Sequence, residues 1–506
     1  MNKKMFYLIW IFIFSLVLIM ANLRPIHQDD GWYASYAFRM LTKFNIFNNV
    51  SFFSYADTNG GNDNPAGFLF SLLQVPFYSI FGISILSARI FNAILITLLL
   101  YVIHSIIKLI APAFRWIIIV LFIVHPVFYY HFYNRPEILA LLLSAISFYI
   151  LLLAPNSKNL VFWAYFIWAF ILDVHPIAIF TIIGIGLHYW IFNRKQTFII
   201  IAGGFSGIFV YFCINYFFNG SFGLFSVFFR DLNPNSFGDH YIPLFSSDFR
   251  DYLRIALERF QTLKGSFLFS LIWIFLPLFF IRKCSTKQYV GLLIFNTISF
   301  WILAVFFTEA SSNGFGLYSL FVFIMLFIII VNELSKSYFF KPVMNWIMVL
   351  PMLLFMTKST TAMIIQNYKY YPRFQKEYSE IKSCIPDGSK VLMRPTFAFN
   401  MGLKGLHSDY TFGILNVMIE KSISFEEAIR IKGYDYILLD NRNLQEELLI
   451  DKRDNKKFDN QAYKKYLHTG ITSLQFDTLL QKGFLREVCS FEEISHGKTI
   501  FYKINR

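Results

Sequence analysis

Up to Met356 the chain alternates long apolar runs with short polar breaks, and beyond it the pattern changes. A bilayer core is about 30 Å thick. Runs of the right kind to cross it fall at Met5–Met20, Leu86–Ile110, Trp116–Tyr130, Ile138–Leu153, Leu160–Leu172, Pro176–Phe192, Phe198–Phe218, Phe267–Ile281, Val290–Phe307, Leu317–Val331 and Val343–Met356. One further run, PAGFLFSLLQVPFYSIFG (Pro65–Gly82), is interrupted by Pro76 and closed by Gly82. From about Lys358 the chain is polar and mixed, with strand-like SKVLMRP, YDYILLDN and KTIFYKIN. Within it, SISFEEAIRIKG reads as a helix, with Ser424 and Glu427 at capping-box spacing and Gly433 as its stop. The expectation is a transmembrane domain over 1–357 and a small soluble α/β domain over 358–506, with no internal repeat and no long linker.

Charge settles the role of Pro65–Gly82. If that run does not cross, Lys3/Lys4, Lys108/Arg115, Lys158, Arg194/Lys195, Arg282/Lys283/Lys287 and Lys336/Lys341 all fall on one side, the cytoplasmic one by the positive-inside rule. The expected topology therefore has eleven spans, with Pro65–Gly82 juxtamembrane or re-entrant in a first outer loop of about 23–84. It puts the N-terminus in the cytoplasm and the C-terminal domain outside the cytoplasmic (inner) membrane. The basic start MNKK precedes a long apolar core with no clean small-x-small cleavage site, which reads as an uncleaved first span.

Composition agrees. The chain is 56% hydrophobic, 20% aromatic and only 15% charged, with a mean hydropathy of +0.51, which excludes a soluble globular protein. Its net charge of +14 reads as cationic loops against anionic head groups; no basic low-complexity run or motif points to nucleic acid. The four cysteines have no metal-ligand spacing, and Cys384 and Cys489 share the C-terminal domain, where a location outside the cytoplasm would allow them to pair.

The candidate chemistry lies on the outer side of this topology. HQDDGWYASYAFRML (His27–Leu41) opens with Asp29 and Asp30 and continues with apolar residues at helical spacing: Trp32, Tyr33, Tyr36, Ala37, Met40, Leu41 and Phe44. This is an amphipathic helix along a membrane face, whose acids either cap it or act on a substrate. Arg135 and Glu137 stand where a span begins, as an interfacial ion pair or as part of a site, and Asp173 and His175 lie in an apolar hairpin. Also outside fall the NDNP turn (Asn62–Pro65), His131, Glu309 and the Asn219–Gly265 loop with Arg230, Arg250, Arg254 and Arg259. With Arg24, those four arginines and Glu309 are the weaker candidates.

A first span followed at once by an acidic pair and YAxxAxRML resembles the GT-C, polyprenyl-phosphate-dependent glycosyltransferases, which include the protein O-mannosyltransferases and the lipid A aminoarabinose transferases. NDNPAGFLFSLLQVPFYSIFG is similar to their Pro-containing juxtamembrane segment, ISILSARIFNAIL to the Arg-bearing span that follows, and HPVFYYHFYNRPEILALLL to an aromatic-rich span with an acidic position after it. The resemblance implies an inverting transfer of a hexose or pentose from a polyprenyl-phosphate carrier to a hydroxyl of a glycan, lipid or protein on the outer face. In it Asp29 matches the catalytic base, Asp30 a substrate-binding neighbour and Glu137 a second acidic position. Arg135, His131 and His175 are candidates for phosphate contacts, since a departing phosphate calls for cations. Asp173 and Asn64 complete the substrate-binding set, though some relatives carry Lys or His where this chain has Asn64. No cofactor is implied; Asp29 and Asp30 are the pair to hold a metal, as in the oligosaccharyltransferase relatives. Two other classes fit the composition. A flippase of lipid-linked sugars favours charges deep inside spans, and a glycan polymerase or ligase favours a late outer loop with arginines and a His, as Asn219–Gly265 with His240 offers.

Overall fold

The computed structural model describes residues 2–24, 28–42, 67–82, 84–153, 156–174, 194–219, 342–386, 388–393, 407–408, 414–441, 444–453, 467–493 and 497–505, with Leu257, Phe397 and single positions between 321 and 332. The chain forms two compact units. Residues 1–21 and 92–365 make the first, and 22–91 and 366–506 the second.

The first unit is helical. Among the described residues four helices are long and apolar enough to cross a membrane: Lys3–Asn22, Ile85–Ile110, Arg194–Ile214 and Val349–Tyr368. Shorter apolar helices include Pro112–Ile123, Glu137–Leu153 and Lys158–Ile171. Helix α1 (Lys3–Asn22) leaves Leu8, Ile11, Phe12 and Ile19 exposed. A row of Phe198, Ile201, Phe205 and Phe209 is likewise exposed. Apolar rows of this kind are stable only against lipid, so this is a multi-pass membrane protein. The expected spans Pro176–Phe192, Phe267–Ile281 and Val290–Phe307 lie outside the described residues.

Two expected spans differ in the structure. Trp116–Tyr130 is a pair of helices, α5 (Arg115–Ile123) and α6 (Pro126–Tyr130). Pro126 has no N–H and forces the preceding residue out of the helical region, so His125 is extended at φ −82°, ψ 125°. The break exposes polar backbone, which is satisfied locally and at long range: His125 Nδ1 accepts from Val127 N–H at 3.1 Å, and the Thr360 hydroxyl donates to the Val124 carbonyl at 2.7 Å. Val343–Met356 is the start of a single helix of 43 residues, Pro342–Cys384. The polarity change near Lys358 falls inside the apolar stretch Val349–Tyr368 of this helix, which continues through it.

Helices α4 (Ile85–Ile110), α7 (Glu137–Leu153), α8 (Lys158–Val174) and α9 (Thr197–Asn219) follow in chain order. The Ser147 hydroxyl donates to the Ala164 carbonyl between α7 and α8. Gly203 and Gly207 let α9 lie directly on the backbone of α8, near Phe162 and Phe166.

The second unit is built on a five-stranded sheet of order β2-β1-β3-β5-β4. Its strands are β1 (Val391–Leu392), β2 (His407–Ser408), β3 (Tyr436–Asp440), β4 (Leu485–Glu493) and β5 (Gly497–Ile504). The first three are parallel, and β5 runs antiparallel to both β3 and β4. Strands β1, β3 and β5 fall in the three stretches that read as strand. Their apolar residues run continuously, because both faces of the sheet are covered. Ile437, Leu439 and Tyr502 face one core, with Val417, Met418, Phe425, Ile429, Phe476 and Leu479 from the helices α11 (Asn416–Lys421), α12 (Phe425–Lys432) and α13 (Ser473–Gln481). Val391, Met393, Leu438 and Phe501 face the other. That second core is completed by Ala34 and Ala37 of α2 (Gln28–Thr42), Tyr78 of α3 (Gly67–Phe81), Ala88 of α4, and Ile381 near the end of the long helix, α10. The first loop thus groups with the C-terminal sheet, although the sequence assigns it to the transmembrane domain. Helix α12 carries the full capping box, Ser424 with Glu427, and ends at Gly433, whose φ of 68° suits glycine.

Two stability outcomes are expected. A Cβ on Gly207 would stand 2.5 Å from the Phe166 carbonyl oxygen and 2.7 Å from Ala169 Cβ, while one on Gly204 meets nothing within 4 Å. Thermal unfolding in detergent should therefore show Gly207→Ala losing about 1–3 kcal/mol, and Gly204→Ala gaining about 0.5–1 kcal/mol. Ser424→Ala should cost α12 about 1 kcal/mol at neutral pH, read from protection of its amides against hydrogen exchange. The Ser424 backbone N–H, and then its hydroxyl, hold the Glu427 carboxyl below its ordinary value. A lowered carboxyl stabilises the fold above the ordinary carboxylate range and loses that contribution as pH falls through its folded value. The difference between wild type and variant should accordingly shrink below about pH 4.

Candidate active site

Helix α2 begins at Gln28, so Asp29 and Asp30 occupy its first turn, where the helix dipole favours carboxylates. Asp30 is 0% exposed and Arg89 1%. The Asp30 Oδ2 accepts from Arg89 Nη2 at 3.1 Å. Neither charge is tolerable alone at that depth, so the two must meet. The turn between α3 and α4 sets the position of Arg89. Gly82 takes φ 71°, the Ser87 hydroxyl donates to its carbonyl at 2.6 Å, and the Ser84 hydroxyl caps α4 by accepting from Ser87 N–H at 3.2 Å. Arg24, just before α2, is buried as well.

The first unit holds the second group. Glu137 sits in the first turn of α7, and its Oε1 accepts from Arg135 Nη2 at 2.8 Å, with Glu137 1% and Arg135 18% exposed. His131 is buried, and its Nδ1 lies 2.7 Å from the Val127 carbonyl. A carbonyl cannot donate, so Nδ1 carries the hydrogen and the neutral ring has its lone pair on Nε2. His131 can donate to a phosphate through Nε2 only as an imidazolium. The buried Asn92 of α4 donates to the His131 backbone carbonyl at 3.5 Å.

Of the residues singled out in the sequence, the structure brings Arg135 to Glu137 and engages Asp30 with Arg89. Asp29 and Asp173 are described by backbone alone, Asp29 at the head of α2 and Asp173 in the last turn of α8. Asn64, His175, Glu309, His240 and the four loop arginines lie outside the described residues. Arg89 stands in the sequence only as the arginine of ISILSARIFNAIL, matched to the Arg-bearing span and given no role at the site. Its signal was present, since it is the one charge in the apolar run before Lys108, but no spacing links it to an aspartate 59 residues away. Among the described residues no three of His, Cys, Asp and Glu are grouped as a metal site requires.

The buried pair makes a test of coupling. Asp30→Asn and Arg89→Met should each cost about 3–5 kcal/mol by stranding the other charge, and the double variant should recover most of one of those losses. Thermal unfolding of the four proteins in detergent gives the coupling; additive losses would mean that the charges do not depend on each other.

No protein-family model matches the chain, and no curated protein does. Solved structures do. The chain is similar to ArnT from Cupriavidus metallidurans bound to undecaprenyl phosphate, at 9% identity and a TM-score of 0.60, over 99% of this chain and 98% of that one. The apo state of the same protein matches at 8% identity and a TM-score of 0.61, with the same coverage. At such identity the likeness speaks for architecture, and over nearly its whole length this chain has the GT-C fold of ArnT.

Proposed function

We propose that the protein is an inverting glycosyltransferase that moves a sugar from a polyprenyl-phosphate carrier to a hydroxyl acceptor on the outer face of the cytoplasmic membrane. The observation that carries this reading is the buried Asp30–Arg89 pair at the head of α2 in a chain of GT-C fold. Undecaprenyl phosphate bound to ArnT supports the class of carrier. The Cys384–Cys489 disulfide supports an outer location for the C-terminal sheet, since such bonds persist in oxidising compartments.

We assign the base to Asp29, which the resemblance matches to the catalytic base, with Asp30 beside it engaged by Arg89. In the reaction Asp29 takes the proton of the acceptor hydroxyl, and the freed oxygen attacks the anomeric carbon from the side opposite the phosphate. The bond between that carbon and the phosphate oxygen breaks, its electron pair leaves with the polyprenyl phosphate, and the configuration inverts. A phosphate leaves without a strong general acid, but its charge needs cations. Arg135 and an imidazolium form of His131 are the groups we assign to it, with Glu137 holding Arg135 in place. Asp173, His175 and Asn64 are assigned to substrate binding, and the protein's own residues supply the chemistry without a cofactor. The donor sugar and the acceptor are left to experiment.

Purified wild type and Asp29→Asn should be compared for transfer and hydrolysis across a panel of undecaprenyl-phosphate sugars, with binding of undecaprenyl phosphate measured in parallel. Asp29→Asn should lose about 10²–10⁴-fold in turnover while binding stays within twofold. Normal turnover in Asp29→Asn would remove it from the chemistry. Absence of turnover by wild type, together with movement of the lipid across vesicles, would favour a flippase.

A further inference from the structure

We infer that the Cys384–Cys489 disulfide is a positioning element for the helix that carries Asp29 and Asp30. This rests on the reading of that helix as the site of the base. Cys384 is the last residue of α10, and Cys489 lies in β4, the edge strand of the sheet, beside a register shift between Glu487 and Cys489. The bond therefore ties the end of a long helix to a strand that, among the described residues, pairs only with β5, and it closes a separation of 105 residues.

Its surroundings give it more than a stapling role. Both cysteines are partly buried against the same core that receives Ala34 and Ala37 of α2. That core also contains Ile381 of α10, Val391 of β1 and Phe501 of β5, with Phe491 of β4 packed against it, so the disulfide joins two of the elements that border the floor, α10 and β4. Among the described residues helix α2 meets this floor through Ala34 and Ala37, both fully buried, with the partly buried Leu41 against its edge. Alanine allows close approach but offers little apolar area and no long side chain to interlock. Beyond the Asp30–Arg89 pair at its head, the seat of α2 depends on how well the floor beneath it is defined. A cross-link in the floor limits how far β4 and the α10 end can separate, and so limits drift of the first turn of α2. Reactions of this kind are sensitive to such drift, since a displacement of about 1 Å can cost about a hundredfold in rate.

The experiment compares the full-length protein in detergent with and without TCEP, which takes the oxygen of water as it reduces the disulfide to two thiols. The Cys384→Ser/Cys489→Ser double variant serves as the control that TCEP should not change. Hydrogen exchange should become about tenfold faster in α2 on reduction, with the α12 amides of the same unit unchanged. For whichever undecaprenyl-phosphate sugar is hydrolysed, kcat should fall about tenfold with binding of undecaprenyl phosphate unchanged, because the base moves and the phosphate contacts do not. Exchange of α2 that is indifferent to TCEP would overturn the inference. Equal acceleration of α2 and α12 would also overturn it, since that is general loosening. The exchange measurement uses no donor, so failure of every sugar in the panel would count against the transferase reading alone.

Discussion

Asp30 and Arg89 are charged, out of reach of water and held at 3.1 Å, and much of this architecture depends on that pair. Burying either charge alone would cost several kcal/mol. The pair therefore ties the first turn of α2 to the first turns of α4. The turn between α3 and α4 is built to the same end, with Gly82 in a conformation suited to glycine and Ser84 and Ser87 closing the hydrogen bonds of a helix start. Local backbone chemistry sets the angle from which Arg89 reaches the aspartate.

A second constraint acts from the sheet. Its strands bury apolar side chains on both faces, and one face is closed by segments from the first ninety or so residues: Ala34 and Ala37 of α2, Tyr78 of α3 and Ala88 of α4. The helix that bears the acidic pair is thus held at its head by an ion pair and along its length by the C-terminal sheet. In the proposed reaction a base must stay in register with a reacting hydroxyl, and a rigid support of this kind serves that requirement. The C-terminal region acquires a physical role from this packing.

The first unit solves a similar problem with weaker means. Arg135 and Glu137 are two residues apart, and their ion pair forms at the helix start with Arg135 still partly exposed. His131 is constrained otherwise: with Nδ1 donating to Val127, its usefulness to a phosphate depends on protonation.

What the sequence determined by itself was whatever depends on near neighbours. The apolar runs mark the helices α1, α4, α7, α8 and α9 to within a few residues, since each must bury its own backbone hydrogen bonds. The capping box of Ser424 and Glu427 and the stop at Gly433 are three- and one-residue signals, and they specify α12. The same signature recurs at Thr472 and Gln475 at the head of α13, where the sequence reading places no helix. The pair of Arg135 and Glu137 was legible as well. Tertiary structure alone decided the partners that lie far apart: Arg89 for Asp30 across 59 residues, Thr360 for the carbonyl freed at Val124 across 236, and the C-terminal sheet for α2. Spacing carries no information about such pairs. They form because a buried charge, an orphaned carbonyl and an apolar helix face must each be answered by something, and only the folded chain determines what stands opposite.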